Sequence, residues 1–300
     1  MKTSYEQLAS IGDVTDFQNL KRIIALAKQE NCKPSSQDNI KILFLGIDPQ
    51  IDFMPGGSLA VPNANSDMSR ACKLIYRNID KISCITSSKD THFKNQIFFP
   101  SWWIGPDNKH PDPYTIITLD DVLSNKWTPI YKKDESLIYL NELESRGKKK
   151  LCIWPYHTLY KTKGWQFVNE YAIIRYFHSF VRNSDNPIII KGQNPCSEMY
   201  GIIRPEYSSK KNSVNTYVLD YFRKYDLIYI FGEAASHCVL ESLLQIAEYF
   251  IDKPEILKKI YVIVDCMSSI PTFEEETKKA FEYLYSLGMN FVTAEEVVLP

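Results

Sequence analysis

The sequence predicts an α/β protein, a three-layer α/β/α sandwich around a mainly parallel, Rossmann-like sheet. Three observations carry this. Short apolar runs recur along the chain, too short for buried helices and apolar on both faces, as strands covered by helices must be. Between them lie segments whose apolar residues recur at three- and four-residue spacing. The alternation of the two implies parallel strands joined by right-handed crossovers.

Taken in order, residues 1–40 carry one amphipathic helix (Phe17, Leu20, Ile24, Ala27) and then a polar linker, CKPSSQDN. Ile42–Ile47 is the first strand. Met68, Cys72, Ile75 and Ile79 mark a helix, and Ile82–Thr86 the second strand. Residues 93–150 are rich in Pro, Trp, Tyr and Lys with little periodicity, which reads as an insertion above the sheet. Strands are expected again at Leu151–Trp154, Ile188–Ile190, Leu227–Phe231 and Ile260–Val264. A helix over Cys238–Ile251 is apolar at Val239, Leu243, Ile246 and Phe250. A last one carries Phe281, Leu284 and Leu287, with Thr272 and Glu275 as a capping box ahead of it. The expected organisation is an N-terminal extension (1–40) and one domain (41–300) with the insertion at about 93–150.

With 300 residues, 44% of them hydrophobic, the chain can bury a sizeable core. Its 35 basic and 36 acidic residues leave a formal charge of −1, so no positive field exists to hold a nucleic acid. No apolar run reaches the roughly 18 residues that span a bilayer, and residues 1–30 lack the apolar core of a secretion signal. Seven scattered cysteines without a CxxC pair argue against a disulfide framework and for reduced thiols. A cytoplasmic protein without nucleic-acid or membrane partners is expected; homo-oligomerisation stays open.

Ligands in such folds sit beyond the carboxyl ends of the strands, and several polar residues fall there. Asp48 follows the first strand, as a turn former or a proton acceptor. Asp90 and His92 follow the second, and His157 the third; each is ordinary alone, but together they make a carboxylate and two imidazoles suited to Zn²⁺, Fe²⁺ or Mn²⁺. Lys191 ends Ile188–Ile190, either snorkelling or bringing a charge into a cleft. Cys238 opens a helix, where backbone N–H groups favour the thiolate. Base, cation and cysteine at neighbouring strand ends suit nucleophilic acyl transfer.

The ordered segments IDPQIDFMPGGSLAVP (47–62), SSKDTH (87–92), IWPYH (153–157), IIKG (189–192) and FGEAASHCV (231–239) resemble the isochorismatase-like cysteine hydrolases, and among them the nicotinamidases. The resemblance covers the chain from about residue 40 onward. It implies a hydrolase of a linear amide C–N bond that converts nicotinamide to nicotinic acid and ammonia through a thioester, in NAD salvage. It further implies Asp48, Lys191 and Cys238 as catalytic residues, and the backbone N–H groups of Ala234 and Cys238 as an oxyanion hole shaped by a cis Glu233–Ala234 peptide. Asp90, His92 and His157 would hold the metal, zinc first among the candidates. Phe53 and Trp154 would sandwich the ring, with Gln50 as polar neighbour.

Some positions depart from the family pattern. Gln96 stands where some relatives carry a further histidine, which His110 replaces only if the insertion folds back. Glu233 stands where an apolar residue is usual and, if buried, needs a partner, such as a cation from the insertion. Ser236 replaces a common Asp. The insertion, with Trp102, Trp103, Tyr114 and Trp127, is expected to form a lid that sets substrate size. Two other readings stay open: a different amidase or hydrolase of the same fold, or a binding protein that keeps the three residues as a relic.

Overall fold

The computed structural model describes residues 1–145, 150–208 and 214–300. Five of the six runs predicted as strands, joined by an unpredicted one at the edge, β10 (Asn290–Val292), build one six-stranded parallel sheet with β1 (Ile42–Ile47), β2 (Cys84–Asp90), β7 (Ile188–Lys191), β8 (Leu227–Gly232) and β9 (Ile260–Ile263), in the order β10-β9-β8-β1-β2-β7. Side chains alternate between two cores, as the period of a strand requires. From β1, Ile42 and Phe44 enter one core, and Leu43, Leu45 and Ile47 the other.

The first core is covered by α1 (Tyr5–Ala9), α2 (Phe17–Ala27), α3 (Ala64–Arg77) and α6 (Asn169–Arg182). The second is covered by α7 (Thr216–Lys224), α8 (Leu240–Tyr249), α9 (Pro254–Leu257) and α10 (Glu274–Ser286). Two helices, not one, precede the sheet, and the face of α2 differs from the expected one. Ile23 and Ala27 are buried while Phe17 is 64% exposed. With Leu8 and Ile11 they join the first core directly, so the extension packs as part of the sandwich. Among the described residues, no helix is long and apolar enough to cross a membrane.

Three expectations are corrected. Leu151–Trp154 is not a strand of the main sheet; β6 (Leu151–Cys152) pairs antiparallel with β4 (Ile116–Ile117), because the insertion supplies its partner. β7 lies at the sheet edge, so only Ile189 points into a core while Ile188 and Ile190 are about two-fifths exposed. Thr272 and Glu275 form no capping box, since Thr272 takes a left-handed φ of 78° and α10 begins after an uncapped Phe273.

The insertion has more order than its sequence suggests. Besides β4 it contains β3 (Trp103–Ile104) paired with β5 (Thr128–Pro129), α4 (Leu119–Leu123) and α5 (Lys133–Ser145). They enclose a third core of Ile97, Phe98, Phe99, Trp102, Trp103, Tyr139 and Leu140, among others, which reaches to Trp154.

Candidate active site

The carboxyl ends of β1, β2, β7 and β8 converge. Asp48 leaves β1 in a left-handed conformation (φ 46°), a region that Asp tolerates better than most residues. Ser88 holds it there, accepting from its backbone N–H at 3.0 Å and donating to its Oδ1 at 2.6 Å. Lys191 pairs across the ladder with Asp90, so the two side chains share one face of the sheet. Gly192 follows with φ 78°, and a Cβ there would lie 2.5 Å from Asp90 Oδ1 and 2.7 Å from the His92 ring. The Lys-Gly sequence is therefore set by the crowding of that corner.

The Lys191 ammonium is fully buried, donates to Asp90 Oδ1, the Met199 carbonyl and Cys238 Sγ, and pairs in charge with Asp48 Oδ2. It lies 2.9 Å from Asp48 Oδ2, 2.9 Å from Asp90 Oδ1 and 3.1 Å from the Met199 carbonyl. Cys238 Sγ is 3.6 Å away. Burial disfavours this cation, but the Asp48 and Asp90 carboxylates outweigh it and hold its pKa well above the ordinary lysine range. Burial raises the Asp48 carboxyl, against the pull of Lys191, which makes it a stronger base. Burial also pushes the Cys238 thiol well up, with Lys191 opposing. The Cys238 sulfur thus lies beside a carboxylate that can take its proton and a cation that favours its charged form.

Cys238 lies in a π-helical turn, Ala235–Val239, that runs into α8, with Val239 N–H donating to the Ala234 carbonyl at 3.1 Å. Such turns recur at functional sites. The peptide Glu233–Ala234 is cis, as expected.

On the far side of Lys191, Asp90, His92 and His157 bring one ligand atom each within 4.8 Å of one another, all three residues buried. The Nδ1 of His92 lies 3.0 Å from the Gly192 carbonyl, and that of His157 lies 2.8 Å from the Pro155 carbonyl. A carbonyl only accepts, so each Nδ1 donates to it, and each Nε2 faces Asp90 Oδ2, at 2.7 Å, a hydrogen-bond distance, and at 3.6 Å; with the ring neutral and its proton on Nδ1, Nε2 is a metal ligand. Burial lowers the pKa of His92 and favours this neutral form. Three acceptors facing one point fit a divalent cation. Gln50 holds the Asp90 backbone: its amide accepts from Asp90 N–H at 2.7 Å and donates to Asp90 O at 2.9 Å, which extends the ladder past the end of β1.

Between the two groups lies a cleft of about 30 Å³. It is lined by Phe53, Leu59, Val61, Asp90, Trp154, His157, Glu198, Tyr200, Ala234, His237, Cys238 and Ile270. Phe53 and Trp154 line the cleft, and Gln50, which is not among its lining residues, braces the Asp90 backbone. Glu198, Tyr200 and His237 were not singled out from the sequence. The first two sit in an irregular stretch after β7, without any period to flag them, but His237 could have been found as the residue before Cys238.

The insertion contacts this site more narrowly than a lid over all its aromatics implies. Trp102 and Trp103 are buried in the third core, and Trp127 packs against it. Tyr114 meets a cleft wall, its ring edge-on to Trp154 at 6.1 Å. Phe98 and Phe99 back the His92 ring. Gln96 stays structural, donating to the carbonyls of Gly192 and Asn194, and His110 lies against Trp103 O at 2.6 Å, outside the metal group. The partner of buried Glu233 is no cation from the insertion; Asp67 and Ser268 face it, and Arg70 stands behind Asp67. Ser236 accepts from Ile270 N–H at 3.0 Å.

No family model matches the chain. It is 23% identical over 250 residues to the nicotinamidase of Escherichia coli (strain K12), covering 82% of this chain and 92% of that protein. Yeast nicotinamidase bound to the inhibitor nicotinaldehyde superposes with a TM-score of 0.58 at 19% identity, over 84% of this chain and 99% of the other. The pyrazinamidase of Pyrococcus horikoshii in complex with zinc gives a TM-score of 0.51 at 20% identity, over 84% and 99%. The fold is that of these hydrolases, and the resemblance noted in the sequence is to the same group.

Proposed function

We propose that the chain is a metal-dependent nicotinamidase, a cysteine amidohydrolase that releases ammonia from nicotinamide. The observation that carries this reading is the single buried ammonium of Lys191 joining Asp48 and Cys238 on one side to the Asp90, His92 and His157 group on the other, across one cleft. A relic would have no need to keep so costly an arrangement intact.

In this mechanism Asp48 takes the thiol proton and Cys238 Sγ attacks the carboxamide carbon, with Lys191 offsetting the charge beside them. The backbone N–H groups of Ala234 and Cys238 receive the developing oxyanion. Asp48 returns its proton to the leaving nitrogen, the C–N bond breaks and ammonia departs, leaving a thioester. Water, deprotonated by Asp48, adds to the thioester; the C–S bond breaks and nicotinic acid and the thiol are restored. A divalent metal held by Asp90, His92 and His157, zinc by the chemistry of its donors, would supply a Lewis-acidic anchor for the pyridine nitrogen and for water. Phe53 and Trp154 flank the ring. The cleft is narrow, so a flat substrate enters by parting its aromatic walls, and bulky acyl groups are disfavoured. The product belongs to NAD salvage, in the cytoplasm.

The test is ammonia release from nicotinamide by the zinc-loaded protein, alongside Cys238→Ala and a chelated sample. Release that is lost in both controls is the expected result. Full activity in Cys238→Ala, or none in the zinc-loaded parent, overturns the reading.

A further inference from the structure

Glu233 is completely buried, yet it stands one residue before Ala234 and five before Cys238. Its Oε2 accepts from Ser268 N–H at 3.3 Å, while the Ser268 carbonyl accepts from Ala235 N–H at 2.8 Å. Ser268 thus grips the segment on both sides of Ala234. The Ser268 hydroxyl in turn donates to Asp67 Oδ2 at 2.6 Å, and Arg70 donates to Asp67 Oδ1 at 2.5 Å and to the Asp265 carbonyl at 2.5 Å. This network ties the start of α3 and the 265–268 segment to the turn that carries Cys238. Glu233 Oε1 has no hydrogen-bond partner among the described residues.

We propose that Glu233 acts as a neutral carboxylic acid and as a positioning residue, which through Ser268 and Asp67 fixes the turn presenting the Ala234 and Cys238 amides. A second anion beside Asp67, where Arg70 is the cation acting on Glu233 among the described residues and already serves Asp67, would lack compensation. The charged groups that face it are Asp67 and Arg70 from α3 and, past Arg70, Asp265 from the segment after β9. Burial first, and then the Asp67 carboxylate, hold the Glu233 carboxyl well above its ordinary range, which agrees with the neutral form.

The inference rests on the proposed function only where it gives those amides a substrate. Two variants separate hydrogen bonding from space filling. Glu233→Gln keeps both the neutral group and the bond from Ser268, whereas Glu233→Leu keeps the bulk alone. Kinetics on nicotinamide should show kcat within about threefold of the parent for Glu233→Gln, and a fall of about 100-fold for Glu233→Leu with KM little changed, the size expected for a small misplacement of catalytic groups. The rate of Cys238 alkylation by iodoacetamide needs no substrate and should rise several-fold in Glu233→Leu alone. Parent-like behaviour of Glu233→Leu in both assays, or a Glu233→Gln as impaired as Glu233→Leu, overturns the proposal. If the parent releases no ammonia, the nicotinamidase reading fails and alkylation alone decides this one.

Discussion

Removing the charge of Lys191 is the most direct probe of how this site is held together. Lys191→Met keeps most of the side chain's volume but leaves Asp48 and Asp90 buried side by side without their shared cation, which lies 2.9 Å from each. Breaking a buried ion pair from one side costs about 3–5 kcal/mol, because the remaining charge is neither hydrated nor paired. In a chain of this size each kcal/mol moves the melting temperature by about 2 °C, so a fall of about 6–10 °C is expected. The assay is thermal unfolding followed by circular dichroism at pH 7 in metal-free buffer. A second substitution, Asp48→Asn, removes one of the stranded charges and should restore part of the loss, with a coupling of about 0.5–3 kcal/mol between the positions. A Lys191→Met protein that melts within about 2 °C of the parent, or a strictly additive pair, would refute the reasoning.

Zinc should raise the melting temperature of the chelated protein, by the equivalent of about 2.7 kcal/mol at a hundredfold excess over its Kd, and His157→Ala should abolish the response in the same titration. Gln50→Ala removes both bonds that hold the Asp90 backbone and should cost about 1–3 kcal/mol by urea denaturation while weakening zinc binding by calorimetry; unchanged zinc affinity would count against its bracing role. Glu233 gives a pH signature. Its folded pKa is raised, so the folded state keeps a proton that the unfolded chain loses near pH 4.5, and stability falls as pH rises from there toward the folded value. Glu233→Gln deletes that slope of about 1.4 kcal/mol per pH unit, so urea midpoints should increasingly favour the variant as pH rises above 4.5; parallel curves would contradict the assignment.

The central strands were legible because β1, β8 and β9 are covered on both sides, which leaves uninterrupted apolar runs. Ile188–Ile190 has the same composition, but nothing in three isoleucines tells an edge strand from a central one. Leu151–Trp154 was misplaced for a related reason: its burial comes from the insertion's own core, and a short apolar run does not reveal which partner it meets. The helix α6 went unread because Arg175, His178 and Arg182 are buried along with its apolar residues, which blurs the period. In the site, Asp48, Asp90, His92, Lys191 and Cys238 could be found because each stands at or just past a strand end. Ser88 could not, as one of two serines inside a strand, although it holds Asp48 through two hydrogen bonds.

The edge position of β7 has a kinetic consequence. Asp48 and Cys238 follow strands at the centre of the sheet, whereas Lys191 ends a four-residue strand bonded to a neighbour on one side only. Segments held by few ladder bonds open at lower free energy than the whole protein. Amide hydrogens of residues 188–191 should therefore exchange with solvent deuterium well before those of β1 and β8. Each such excursion would draw the ammonium away from its two carboxylates while the sandwich stays folded, so inactivation in mild denaturant should precede the loss of helical signal.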